Sequence, residues 1–267
     1  MNKNSSNIYV YADWHTLIKP VFIGTILVSR NRGKELFSFE YDIDWIKSPN
    51  YFLLDPLLVK YTGKQFPLNS NNFGVFFDSM PDSWGKKLMM RKAAQSRTNQ
   101  KENPTPLFDS DYLLEVFDKN RSGALRFKTD KQGEFLNNNE LMPTPPWAHV
   151  NELQKAVNDF EDNNFKKINK WLPLLFAPGS SLGGARPKAN VLDQKKNLWI
   201  AKFPSNLDLI NKGQWEYLAY KLAIKSGIQM SESKIEKIYG NYHTFFTKRF
   251  DRIGDKRIHF ASAMTMT

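Results

Sequence analysis

The sequence has no cysteine, which excludes disulfides and thiolate metal ligands. Histidine is scarce as well: His15, His149, His243 and His259 lie far apart, without the short spacing that lets two imidazoles share a metal ion. No apolar stretch approaches the roughly 18 uninterrupted residues of a membrane-spanning helix, and Met1 to Asn7 lack the apolar run of a signal peptide. The expectation is a cytoplasmic protein without membrane contact. Acidic residues are outnumbered, 27 against 38 basic ones, for a formal charge of +11. That excess suits nucleic acid, nucleotide phosphates or an acidic partner, although the lysines are spread along the chain rather than gathered in a block.

What is present is enough to fold. Over 267 residues, 41% hydrophobic and 14% aromatic content can fill the core of one large domain or two ordinary ones. The opening segment reads as a small sheet: Ile8 to Tyr11, Val21 to Val28 with an interruption at Gly24, and Leu36 to Tyr41, with a turn at Asn31-Arg32-Gly33. Phe73, Phe76, Phe77 and Met80, then Trp84, Leu88 and Met89, have helical spacing broken at Pro81. Two short helices are expected, with Asp82 or Ser83 capping the second. Residues 95 to 106 read as an exposed loop before a helix from Leu113 to Phe117, and Arg121 to Phe127 as a turn entering a strand.

The prolines at 143, 145 and 146 mark the most linker-like stretch and set the expected domains at 1–140 and 141–267. Beyond it, Val150, Leu153, Val157 and Phe160 form a core-facing helical stripe. Strands are expected at Lys188 to Leu192 and Leu198 to Phe203, a helix from Gln214 to Lys225 closed by Gly227, and strands at Lys234 to Tyr239 and Thr244 to Phe250. The fold class is α+β.

Chemistry concentrates in this last third. Pro178 to Lys188 is a small-residue loop feeding a strand; glycine allows backbone N–H groups to approach phosphate oxygens closely. Lys202 stands inside the apolar strand Trp199-Ile200-Ala201-Lys202-Phe203, where a charge costs free energy unless a partner receives it. Glu216 lies on the next helix. A strand lysine held by a helix glutamate is how kinases hold the α- and β-phosphates of ATP. Phe245 to Arg252 then ends a strand where a kinase hinge meets adenine, so that backbone groups of Lys248 and Phe250 face the purine edge.

In order along about residues 8 to 260, several segments resemble the HipA family of serine/threonine toxin kinases: Phe76 to Ser83, Leu113 to Val116 with Ser122 to Ala124, Ser181 to Lys188, Ile200 to Pro204, Trp215 to Tyr217, and Lys248 to Arg252. The resemblance implies an N-terminal subdomain followed by a kinase-like N-lobe that binds ATP, with Mg2+ in a complete kinase. It gives Lys202 as the phosphate lysine with Glu216 as its partner, and Gly183, Gly184, Ala185 and Lys188 as the phosphate loop. Ser181 takes the position of autophosphorylation. The implied partner is a helix-turn-helix antitoxin, with DNA reached through it. The catalytic and metal-binding aspartates of the family lie in a C-lobe downstream of the segment matching Arg249 to Arg252. The expectation is therefore an N-terminal portion, inactive as an isolated chain, whose C-lobe could be a separate chain. An alternative is a non-catalytic binding module in an antitoxin or DNA-bound repressor complex.

Overall fold

The computed structural model describes residues 5–68, 70–100, 106–138, 144–162, 173–176, 179 and 184–267, with side chains to residue 95 in the helix that ends at 100. The fold is α+β, and its residues group into two compact units. Unit 1 comprises 1–81, 105–138 and 255–267; unit 2 comprises 82–104 and 139–254. The chain passes between the units four times, at 81/82, 104/105, 138/139 and 254/255, and the third crossing lies beside the linker expected near 140.

Unit 1 is built on a four-stranded antiparallel sheet in the order β3-β2-β1-β4, from β1 (Ser5–Ala12), β2 (Val21–Asn31), β3 (Lys34–Tyr41) and β4 (Leu125–Lys128). The cause is a period of two: Ile8, Val10 and Ala12, Ile26 and Val28, Phe37 and Phe39 are all buried while their neighbours along the strand are more exposed. Burying each of the valine, isoleucine and phenylalanine side chains among them contributes about 1.5–3 kcal/mol. Helix α1 (Ile43–Lys47) follows β3 directly, its first turn capped by the Asp42 carboxylate. Helix α2 (Gly74–Phe77) is the expected short helix.

Helix α4 (Asp109–Glu115) starts and ends earlier than the expected 113–117, because Asp111 accepts from the Phe108 N–H and the acidic first turn favours that start. Arg121, fully buried, donates to the carbonyls of Ser79, Leu113, Val116 and Leu136 and so ties four segments together. Buried Asp118 accepts from Arg126 and Arg257, and Arg126 also reaches Asp13 at 3.1 Å. Burial alone would raise the Asp118 carboxyl; Arg257 and Arg126 outweigh it and hold it below the usual carboxylate range. Helix α7 (Ala263–Met266) is capped by Ser262, whose N–H donates to Asp78.

Unit 2 contains helix α3 (Ser83–Gln100), α5 (Val150–Glu161), a second four-stranded antiparallel sheet and helix α6 (Lys212–Lys225). Helix α3 runs through part of the stretch expected as a loop from 95. Its residues from Gln95 to Gln100 are polar but carry no breaker before Pro104, and Ala93, Ala94, Gln95 and Arg97 favour helix. The sheet has the order β5-β6-β8-β7, from β5 (Lys188–Leu192), β6 (Leu198–Lys202), β7 (Ser233–Glu236) and β8 (Thr244–Lys248). β7 and β8 each end sooner than the sequence suggests. One sheet face carries Ala201 and Phe246 and packs under Trp147, whose ring stacks on Phe246 at 4.3 Å. The buried stripe Val150, Leu153, Val157 and Phe160 makes α5 amphipathic, and its Gln154 accepts from the Thr244 hydroxyl at 2.8 Å. The other face carries Lys188, Asn190, Ile200, Lys202 and Phe245.

Among the described residues no helix is long and apolar enough to cross a membrane.

Candidate functional site

The site lies on that second face of the unit 2 sheet. Strands β5 and β6 are paired so that Lys188 stands opposite Lys202. Side chains alternate along a strand, so both ammonium groups project from one face. Helix α6 delivers the carboxylate. Its Asn211 caps the first turn and bonds His243 ahead of β8. Gly213 is buried so closely against that segment that a Cβ there would sit 2.2 Å from the His243 carbonyl oxygen, so no larger residue fits. This approach fixes the helix, and one turn on Glu216 pairs with the Lys202 ammonium. The Lys202 Nζ also lies 5.3 Å from the Phe245 ring centroid. Both side chains of the pair remain about a third open to solvent, at 29% and 36%, so by itself the contact contributes about 1 kcal/mol or less.

Lys188 is different. It is buried, at 5% exposure, and among the described residues no carboxylate pairs with it directly. Its ammonium is pulled down to about 8, first by burial and then by the charge of Lys202, with Asp82 and Glu216 acting in the opposite sense. Next to it is Gly184, at φ +85°, whose Cα is so placed that a Cβ would lie 3.1 Å from Lys188 Nζ. Gly184 is held from both sides by the start of α3: its N–H donates to the Asp82 carboxylate, and its carbonyl accepts from the Trp84 N–H at 3.1 Å. The Trp84 indole N–H in turn donates to the Lys188 carbonyl at 2.8 Å. Arg186 is clamped to both carboxylate oxygens of Asp208, at 2.8 and 2.6 Å. Burial would raise Asp208, but that bond to Arg186 holds it low. Pro187, which lacks an N–H, accepts from Phe203 through its carbonyl. Ala185 lines a cavity of about 340 Å³ with Trp84, Lys87, Arg91 and Phe160. Ser181 and Gly183 lie outside the described residues.

The expected adenine-facing segment is placed in part. The Lys248 N–H donates to the Glu232 carbonyl at 2.8 Å and the Arg249 N–H to the Leu198 carbonyl at 2.9 Å, so these two amides are committed within the sheet. The Lys248 side chain is paired with Trp199 on the opposite face from Lys202, where it lines a cleft of about 630 Å³ with Trp147, Trp199 and Lys234. Phe250 is 60% exposed.

Sequence reasoning missed what the segment is built around. Buried Arg249 donates to Asp251 and, at 3.0 Å, to Asn190 on β5, and Arg252 donates to Asp251 at 2.8 Å. The network draws residues 249–251 onto the lysine face of the sheet. Its only sequence signal is the alternation Arg249-x-Asp251.

Residues 180–267 match the family model described as HipA-like C-terminal domain. Among solved structures the chain is similar to one described as the Shewanella oneidensis MR-1 toxin–antitoxin system HipA, HipB and its operator DNA complex, at 15% identity and a TM-score of 0.42. That likeness covers 89% of this chain and 51% of the other, so the chain spans about half the length of the solved relative. No curated protein matches. The two lysines, Gly184, Glu216 and the Arg249 network all fall within 180–267, the stretch that matches the HipA-like C-terminal domain model.

Proposed function

We propose that unit 2 holds the phosphates of ATP, carried with Mg2+, as part of a HipA-like toxin of the serine/threonine kinase class. The observation that carries the reading is the pairing of Lys188 with Lys202. Like charges directly opposite each other on adjacent strands are destabilising, and here one of the two is buried while, of the two carboxylates that act on them, Asp82 and Glu216, only Glu216 forms an ion pair, with Lys202. A polyphosphate supplies the missing negative charge and accepts from both ammonium groups. Gly184 at the loop stem lies beside the Lys188 ammonium, and its N–H is a donor of the kind a phosphate oxygen accepts from. The purine would lie toward residues 248–250, and Ser181, preceding the loop glycines, is the candidate site of self-modification. Within such a toxin the partner is a helix-turn-helix antitoxin, with operator DNA contacted through it, in the cytoplasm.

Calorimetric titration with ATP and with adenosine tests the reading. Binding of ATP that Lys202→Met weakens at least about tenfold, equal to the loss of one charge-assisted contact, is the expected result. Lack of ATP binding at millimolar concentration, or binding indifferent to Lys202→Met, would overturn it.

A further inference from the structure

We infer that Asp82 is a built-in anion that occupies the phosphate loop until a nucleotide displaces it, so that this carboxylate sets the affinity and phosphate-dependence of the site. The inference rests on the nucleotide reading above and adds a regulating residue to it.

The argument begins with the Gly184 amide. In a loop that cradles phosphate, the N–H groups at the glycines are the donors the ligand needs. In this structure the Gly184 N–H is already donated, to a carboxylate oxygen of Asp82, a residue 102 positions earlier in the sequence. A carboxylate is chemically the nearest side-chain equivalent of a phosphate edge: anionic, acceptor-only and two-pronged. Asp82 also acts on the neighbouring cation, since its field supports the charge of Lys188, whose Nζ lies beside Gly184. One carboxylate thus serves two of the groups that a phosphate would use, the amide and the ammonium.

The second grip on Gly184 does not involve charge. The Trp84 N–H holds the Gly184 carbonyl, and the Trp84 indole holds the Lys188 carbonyl. Both persist when Asp82 lets go, because both attach to carbonyl oxygens that a phosphate does not seek. Asp82 itself is exposed at the start of α3, so its side chain can swing into water at little desolvation cost. Helix α3 therefore keeps the loop stem in position while its first carboxylate exchanges with the ligand. Asp82 is a positioning residue: it acts on the nucleotide through the Gly184 amide and the Lys188 ammonium.

The test compares wild type, Asp82→Asn, Asp82→Ala and Lys202→Met, titrated calorimetrically with ATP, ADP and adenosine. Asparagine keeps the acceptor oxygen and removes the charge; alanine removes both. The expected result is tighter ATP binding in Asp82→Asn, about fivefold, the scale of one charge-assisted bond and a screened repulsion. The gain should be at least as large in Asp82→Ala, smaller for ADP and absent for adenosine. If Asp82 merely anchored the loop, Asp82→Asn would leave ATP affinity unchanged and Asp82→Ala would weaken it. Either result overturns the inference. ATP binding that Lys202→Met abolishes but Asp82 variants do not strengthen leaves the nucleotide reading standing and removes only the exchange. Absence of ATP binding in wild type and in both Asp82 variants overturns the two together. Circular dichroism and thermal melting of the Asp82 variants confirm that each is folded before titration.

Discussion

Replacing Lys188 by methionine should stabilise the unliganded protein while weakening its hold on phosphate. The side chain is buried and its ammonium titrates near 8 rather than at the ordinary lysine value of 10.5. Because the folded value lies below the unfolded one, the unfolded chain holds the extra proton between about pH 8 and 10.5. Stability therefore rises with pH through that window, and below pH 8 the full cost of the buried charge is present. The displacement corresponds to about 3 kcal/mol at neutral pH. Methionine fills a similar volume without a charge, so Lys188→Met should raise stability at pH 7 by about 2–3 kcal/mol. Urea denaturation at pH 7 and pH 10 measures this. The gain should be largest at pH 7 and shrink at pH 10, where the wild-type lysine folds neutral. Over the same interval wild-type ATP affinity should fall by about tenfold from pH 7 to 9, as the fraction of charged Lys188 falls, and that slope should flatten in the variant. A Lys188→Met protein less stable than wild type at pH 7, or with an unchanged pH slope, would refute the reasoning.

Two further outcomes concern the scaffold. Arg249→Met should cost about 3–5 kcal/mol in urea denaturation, since it removes the buried guanidinium that donates to both the Asp251 carboxylate and the Asn190 side chain. A loss under 1 kcal/mol would show that Arg252 alone satisfies Asp251. In unit 1 the His259 ring packs against Trp14 and Phe52, each with centroids 5.6 Å away, and neither ring nitrogen has a hydrogen-bond partner among the described residues. Burial pulls it down to about 4, against a weaker opposing effect of Asp78. Stability should then be lost as pH falls from about 6.5 to 4, by up to about 3 kcal/mol. His259→Phe should remove that part of the acid sensitivity, and a variant that still matches wild type point by point across the range would refute it.

The parts of the fold visible in the sequence are those governed by local periodicity. β1 to β3 and the α5 stripe announce themselves because one face of each is buried, and a two- or three-to-four-residue rhythm follows from that. The facing of Lys202 and Glu216 was legible because a lysine inside an apolar strand needs a counter-charge and the next helix offered one. Helix α3 was underestimated since its second half is polar and carries no stripe. Arg121, Asp118 and the Arg249–Asp251–Asn190 network were not legible at all: their partners come from distant positions, and an isolated arginine looks the same whether it ends in water or in a ring of carbonyls. The Asp82–Gly184 bond belongs to the same class. The further crossings at 81/82, 104/105 and 254/255 have a similar origin, because composition marks linkers but not which distant strand a segment will join.

The interleaving of the two units bears on how the chain comes to fold during synthesis. Arg257 donates to the Asp118 carbonyl and side chain across 139 positions, and Arg126 reaches back to Asp13 across 113. Unit 1 therefore cannot complete its buried charge cluster until the ribosome has made all of residues 139–254, which belong to the other unit. Until then Asp118 lacks Arg257, the first of the arginines that hold its carboxyl low in the finished fold. The closing segment 255–267 of unit 1 follows every residue of unit 2 along the chain, so the contacts that complete unit 1 close over long sequence distances.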